Sequence, residues 1–182
     1  MQITDDSELI KLFQKEEDRE YVFRLIVDKY KEKLYRHIRS IVLDHYDTDD
    51  VLQETFLKVW RALPGFREES GLYTWLYRIA TNETLSFLRK KKKHLLVSFT
   101  GIENKMAEKL TEDEYFNGDA VQLKLQKAVL TLPEKQKLIF NMKYFNEMKY
   151  EDMSAILNTS VGALKASYHH AVKKIEKYMN TD

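Results

Sequence analysis

No cysteine occurs in the 182 residues, which excludes a disulfide framework and a thiolate nucleophile. Two prolines and five glycines are all that punctuate the chain, and no glycine-rich phosphate loop is among them. No stretch approaches the roughly 18 consecutive apolar residues of a membrane helix, so direct membrane insertion is not expected. The opening MQITDDSELI has no basic stretch followed by an apolar run, so no secretory signal is expected and a cytoplasmic location is the default. Net charge is equally scarce: 30 Lys and Arg against 29 Asp and Glu leave +1, which gives no global argument for nucleic acid. Charge distribution says more. Arg89 to Lys93 is an unbroken basic run, and the stretch from Gly101 to Asp119 is mainly acidic.

What is present is apolar spacing of three and four, the period of helices rather than strands. Phe23, Ile26, Tyr30, Leu34, Ile38 and Ile41 trace one helical face. Leu52, Thr55, Phe56, Val59 and Leu63 trace a second, and Leu72, Trp75, Leu76, Ile79 and Leu88 a third. His45 to Asp50 reads as a turn entering a helix with an acidic start, and a short helix is expected near Glu8 to Gln14. From Ser98 to Gly118 the periodicity fails. Helices then resume. Thr131 to Glu134 reads as a capping box with proline in the first turn, and Leu138, Ile139, Met142 and Phe145 form the next stripe. A helix over Tyr150 to Leu157, a turn at Asn158 to Ser160 and a helix over Gly162 to Met179 make a helix-turn-helix outline. Asn158 suits the left-handed turn position, and Ser160 suits a cap. The expected fold is all-α: two small helical domains, 1–95 and 120–182, joined by a flexible linker over 96–119, the second containing the helix-turn-helix.

Three stretches in order resemble the extracytoplasmic-function (ECF) sigma factors of bacterial RNA polymerase. They are Asp49-Asp50-Val51-Leu52-Gln53-Glu54-Thr55-Phe56-Leu57-Lys58-Val59-Trp60, then Tyr73-Thr74-Trp75-Leu76-Tyr77-Arg78-Ile79-Ala80-Thr81-Asn82 ending in Leu88-Arg89, then Leu132-Pro133-Glu134-Lys135-Gln136 with the helix-turn-helix. The resemblance implies a sigma factor that binds core RNA polymerase and directs promoter-specific initiation. It also implies promoter DNA and an anti-sigma factor as partners.

In this reading Asp49, Asp50, Gln53 and Glu54 present carboxylates and an amide to a basic polymerase surface. The aspartates alone would equally suit an acidic first turn. Tyr73, Trp75, Tyr77 and Arg78 combine flat rings with a cation, as binding of unpaired bases and their phosphates requires, with Tyr73, Tyr77 and Arg78 expected to face DNA. Trp75 also fits the core stripe. The family holds a flipped promoter base with the loop matching Gly65 to Gly71 and the position matching Asn82; the acidic residue usual four places later is Ser86 here. Arg89, Lys90 and Lys91 would hold duplex phosphates beside the melted minus-ten element. For the minus-thirty-five element the exposed candidates are Ser160, Gly162, Lys165, His169 and Lys173, with Ala163, Leu164, Tyr168 and Val172 as the packing face. Lys165 matches a family lysine, while Ser167 and His170 replace usual arginines.

The five histidines lack metal-ligand spacing, and no cofactor, small-molecule substrate or catalytic constellation is expected, so the chain does not read as an enzyme. Two other readings stay open: a helix-turn-helix regulator acting without polymerase, and a helical interaction module.

Overall fold

The computed structural model describes residues 5–15, 18–95 and 120–181; the expected linker lies outside them. Helix α1, Asp6–Gln14, buries Leu9, Ile10 and Phe13. Its Asp6 accepts hydrogen bonds from Tyr30 Oη and Lys29 Nζ, each at 2.6 Å, which ties it to α2, Arg19–Val42. In α2 the buried residues Val22, Ile26, Tyr30, Leu34, Ile38 and Ile41 recur every three or four positions. Phe23, expected on that stripe, is only partly buried because Val22 takes the interior position.

A sharp corner follows. Leu43 adopts a left-handed φ of 63°, and Asp44 caps α3, its Oδ1 accepting from Asp47 N at 2.9 Å. Helix α3 therefore begins at His45 and runs to Ala62, so the turn expected over His45 to Asp50 is helical. The early start follows from Asp44, which satisfies a free amide of the first turn. A 3-10 turn at Leu63–Gly65 and an irregular loop lead into α4, Leu72–Leu95, which carries the basic run as its final turns.

The second half comprises α5 (Ala120–Leu130), α6 (Glu134–Phe140) extended by a π turn (Asn141–Phe145), α7 (Tyr150–Leu157) and α8 (Val161–Met179). The expected capping box does not form. Thr131 Oγ1 instead donates to Ala128 O at 2.7 Å, closing α5, and Pro133 precedes α6 with no side-chain cap. The helix-turn-helix is as read: Asn158 is left-handed with φ 49°, and Ser160 Oγ accepts from Ala163 N at 3.3 Å.

Among the described residues there is no strand. The helices fall into the two expected regions, but their cores are not separate. One cluster runs from Leu9, Ile26, Leu34 and Ile38 through Leu76 to Ile139, Met142, Met153, Ile156 and Leu164. A smaller cluster beneath α8 holds Ala128, Val129, Leu132, Phe140, Ala171 and Ile175. Helix α4 packs on α7, and the π turn packs on α2. With each fully buried aliphatic side chain worth about 1.5–3 kcal/mol, the seam joining the halves is a real part of the fold's stability.

Candidate nucleic-acid interface

Two surfaces meet on the first half. On α3, Asp49, Asp50, Gln53 and Glu54 are exposed, while Val51, Thr55 and Val59 point inward. Asp49 Oδ2 lies 3.5 Å from His45 Nε2, leaving Asp50, Gln53 and Glu54 as the open polar members. One and two turns further on, Leu57 and Trp60 extend this face, 40% and 36% exposed. The sequence reading gave neither a surface role, although Leu57, three and four positions from Glu54 and Gln53, and Trp60, three beyond Leu57, were a visible signal. Trp60 is held edge-on by Phe13 and Phe23, with centroids at 5.8 and 5.0 Å.

Helix α4 is flanked on two sides, by α2 and α3 on one and by α7 on the other. Its buried stripe is accordingly wide: Leu72, Leu76, Tyr77, Ala80, Thr81 and Thr84. The expectation that Tyr77 faces outward is thus corrected; it is 4% exposed and its hydroxyl points at Lys33 O, 3.4 Å away. Burial and then the neighbouring Tyr73 push its phenol well above the ordinary range. Tyr73 is half-buried, its ring 4.4 Å from that of Tyr77, and Trp75 is half-buried against Phe66 at 4.8 Å. Arg78 is exposed, yet its Nη2 donates to Ala155 O of α7 at 2.6 Å, so its outward reach is also taken up. Asn82, Arg89 and Lys90 are open to solvent, and Lys91 pairs with Asp47. Between α3 and α4 lies a groove of about 380 Å³ that brings Gln53 and Glu54 opposite Ser86 and Lys90. A Lys58–Glu83 ion pair bridges the same two helices.

Beneath α4, His37 is fully buried. Its Nδ1 lies 3.0 Å from Asn146 Nδ2 and its Nε2 2.8 Å from Thr81 Oγ1, so with Asn146 as donor Nδ1 accepts and Nε2–H donates to Thr81. Desolvation lowers its pKa from 6.5 to about 4. Because the folded-state value is depressed, stability from the neutral ring is present above pH 6.5 and is lost as pH falls through 4. Between pH 7.5 and 5 this one group should cost about 2 kcal/mol. Urea unfolding at the two pH values checks it: His37→Gln should flatten most of the difference, and an equal pH dependence in that variant would refute the assignment.

On the second half, Gly162, Lys165, His169 and Lys173 are exposed along one face of α8, and Ser160 is committed to its cap. Leu164, Ala171 and Ile175 are buried on the other face, with Tyr168 stacked on Phe140 at 5.7 Å. Val172 is partly buried; Ala163, expected to pack, is exposed because it lies on the solvent face with His170 and Lys174, off the Leu164, Ala171 and Ile175 stripe. Lys165 Nζ lies 5.6 Å and Lys143 Nζ 5.0 Å from the centroid of Tyr150.

An exposed acidic face on α3, an aromatic and basic helix beside it, and a helix-turn-helix downstream follow one another along the chain, the order of a sigma-70-type initiation factor. Residues 26–94 match the family described as Sigma-70 region 2, and residues 122–175 match Sigma-70, region 4. The ECF RNA polymerase sigma factor SigW of Bacillus subtilis is 32% identical over 86% of this chain and 88% of its own. The RNA polymerase sigma-H factor of Pseudomonas aeruginosa is 30% identical over 94% and 92%. In fold the chain is similar to CnrH, solved in complex with the cytosolic domain of CnrY, with TM-score 0.71, 21% identity and coverage of 97% and 98%. The chain belongs to the ECF RNA polymerase sigma factors, and its function is promoter-specific transcription initiation with RNA polymerase. The family points to a non-catalytic transcription factor. Among the described residues no helix is long and apolar enough to cross a membrane.

Proposed function

We propose that the three working parts divide as follows. The first domain, 1–95, docks on core RNA polymerase through Asp49, Asp50, Gln53 and Glu54, with Leu57 and Trp60 as the apolar centre of that contact. Such a patch, apolar in the middle and charged around it, suits a partner surface of opposite charge. Helix α4 meets the minus-ten element through Tyr73, Trp75, Arg78, Asn82, Arg89, Lys90 and Lys91, with Tyr77 acting from beneath as packing. The second domain, 120–182, meets the minus-thirty-five element through Gly162, Lys165, His169 and Lys173, and Ser160 sets the start of α8. Residues 96–119 connect the two and raise their effective concentration on a promoter presenting both elements.

The observation that carries this reading is the order of exposed faces: acid and tryptophan on α3, open cations at the end of α4, and a clear α8 face on the helix-turn-helix. The reading places the protein in the cytoplasm with polymerase, as a specificity subunit without catalysis of its own. An anti-sigma factor is the proposed regulator. Its support is a fold shared with CnrH and with Bartonella quintana RpoE, solved with the anti-sigma factor NepR and matched at TM-score 0.66 and 20% identity over 88% of this chain.

The purified chain should co-migrate with core RNA polymerase and yield discrete run-off transcripts from genomic fragments. Lys165→Ala should lower their yield and reduce the salt slope of promoter binding by about one. Core polymerase binding without discrete transcripts would remove the promoter half of the assignment, and no binding at all would remove the docking half.

A further inference from the structure

Tyr46 has no part in the docking and DNA-binding assignments above, yet at 79% it is the most exposed large apolar side chain among the described residues. It stands in the first turn of α3, on the outward face of that helix. Positions 46, 50, 53, 57 and 60 follow one another at intervals of four and three. Tyr46 therefore shares a face with Asp50, Gln53, Leu57 and Trp60, opposite the buried Thr48, Val51, Thr55 and Val59. At a helical rise of about 1.5 Å per residue, Tyr46 and Trp60 stand about 21 Å apart with the acids between them. The corner that carries Tyr46 is held from several sides. Leu43 is left-handed, Asp44 caps the helix, and His45 Nδ1 lies 2.7 Å from Tyr35 Oη of α2. With the Tyr35 hydroxyl as donor, Nδ1 accepts and Nε2–H is directed at Asp49, 3.5 Å away. An aromatic ring mounted on backbone ordered in this way loses little freedom when a partner covers it.

The surroundings of the ring choose the partner. Elsewhere in this fold tyrosine rings are covered by the chain's own lysines: Lys29 and Lys33 lie 5.6 and 6.0 Å from the centroid of Tyr30, and Lys143 and Lys165 lie 5.0 and 5.6 Å from that of Tyr150. Tyr46 has no such cation. Among the described residues its one ring contact is with His45, at 5.6 Å, and Asp47, Asp49 and Asp50 follow it within the next turn. Carboxylates repel phosphates, so this ring does not suit DNA, and Lys91 of the basic run, which reaches this corner, is itself paired with Asp47. A flat ring beside carboxylates instead suits a guanidinium or ammonium group, which gains from the ring face and from the charges at once. We propose that Tyr46 receives an arginine or lysine side chain of core RNA polymerase on its ring face, with Asp49 and Asp50 beside it, as a second anchor at the opposite end of α3 from Trp60. The proposal rests on the assignment of α3 as the polymerase-docking helix made above.

Three substitutions of the full chain separate the ring face from mere apolar area. Core RNA polymerase is the probe, and each unlabelled variant competes against the fluorescently labelled native chain. Tyr46→Ala should bind on the order of tenfold more weakly. Tyr46→Phe, which keeps the ring, should stay within about twofold of the native chain, and Tyr46→Leu, which keeps apolar area without a ring, should be about as weak as the Ala variant. Circular dichroism should not change in any of the three, because the side chain is so exposed. A Leu variant as strong as the native chain, or a Phe variant as weak as Ala, overturns recognition of a cation by the ring face. Weakened binding to duplex promoter DNA with polymerase binding intact overturns the choice of partner. Undiminished polymerase binding by the Ala variant overturns the anchor, and Glu54→Lys in the same competition shows how far the failure reaches. If Glu54→Lys is weakened, only the role of Tyr46 falls; if it too is undiminished, the docking assignment of α3 falls with it.

Discussion

Glu54→Lys should weaken binding to core RNA polymerase by about tenfold or more while leaving the fold intact. Glu54 is exposed in the middle of α3 and makes no ion pair among the described residues, so reversing its charge breaks no internal contact. Exposed substitutions of this kind usually move stability by less than about 0.5 kcal/mol. Its neighbours explain the size of the binding effect. Gln53 shares its exposed face, and Leu57 and Trp60 continue it, so a lysine there would sit beside the apolar centre of the contact and repel a basic partner surface. Competition binding against the native chain, with circular dichroism as the control, checks it. Undiminished affinity would mean that α3 does not carry the docking. Loss of helicity would mean that Glu54 has a structural role this fold does not show.

The second large effect is on stability. Met142→Ala should destabilise the chain by about 3 kcal/mol, because Met142 is 0% exposed in the π turn that packs on α2 and its removal leaves a cavity in the shared core. Both tryptophans, Trp60 and Trp75, lie in the first half, whereas Met142 lies in the second. If the continuous core makes the halves unfold together, tryptophan fluorescence should report the loss from the far side of the seam. Its urea midpoint would move down by about 1–2 M, in step with helicity. A tryptophan transition that stays in place while helicity falls earlier would show that the halves unfold independently and that the seam adds little.

Much of the site was legible before any coordinates, for reasons visible in particular residues. The α3 carboxylates lie outside a stripe of Val51, Thr55 and Val59 that has the helical period, so their exposure follows from spacing alone. Asn158 and Ser160 declare the turn because their side chains suit its two special positions. Thr131 was misread because a hydroxyl at the junction of two helices has two nearby targets, and the carbonyl of Ala128 won over the amides of α6. Tyr77 was misread because a single helix pattern reveals one packed face, and α4 is packed on two.

The sequence by itself determined the helices, the helix-turn-helix, the family and the order of the acidic, aromatic-basic and helix-turn-helix stretches, because all of these are written in local spacing and side-chain type. Only the tertiary structure decided that Tyr77 is interior, that Arg78 is engaged by Ala155, and that Asn141 and Asn146 meet Ser40 and His37 across the seam. The contacts behind those facts join residues between 44 and 109 positions apart. Periodicity shows that a face will be covered; which distant helix covers it depends on how the two halves pack.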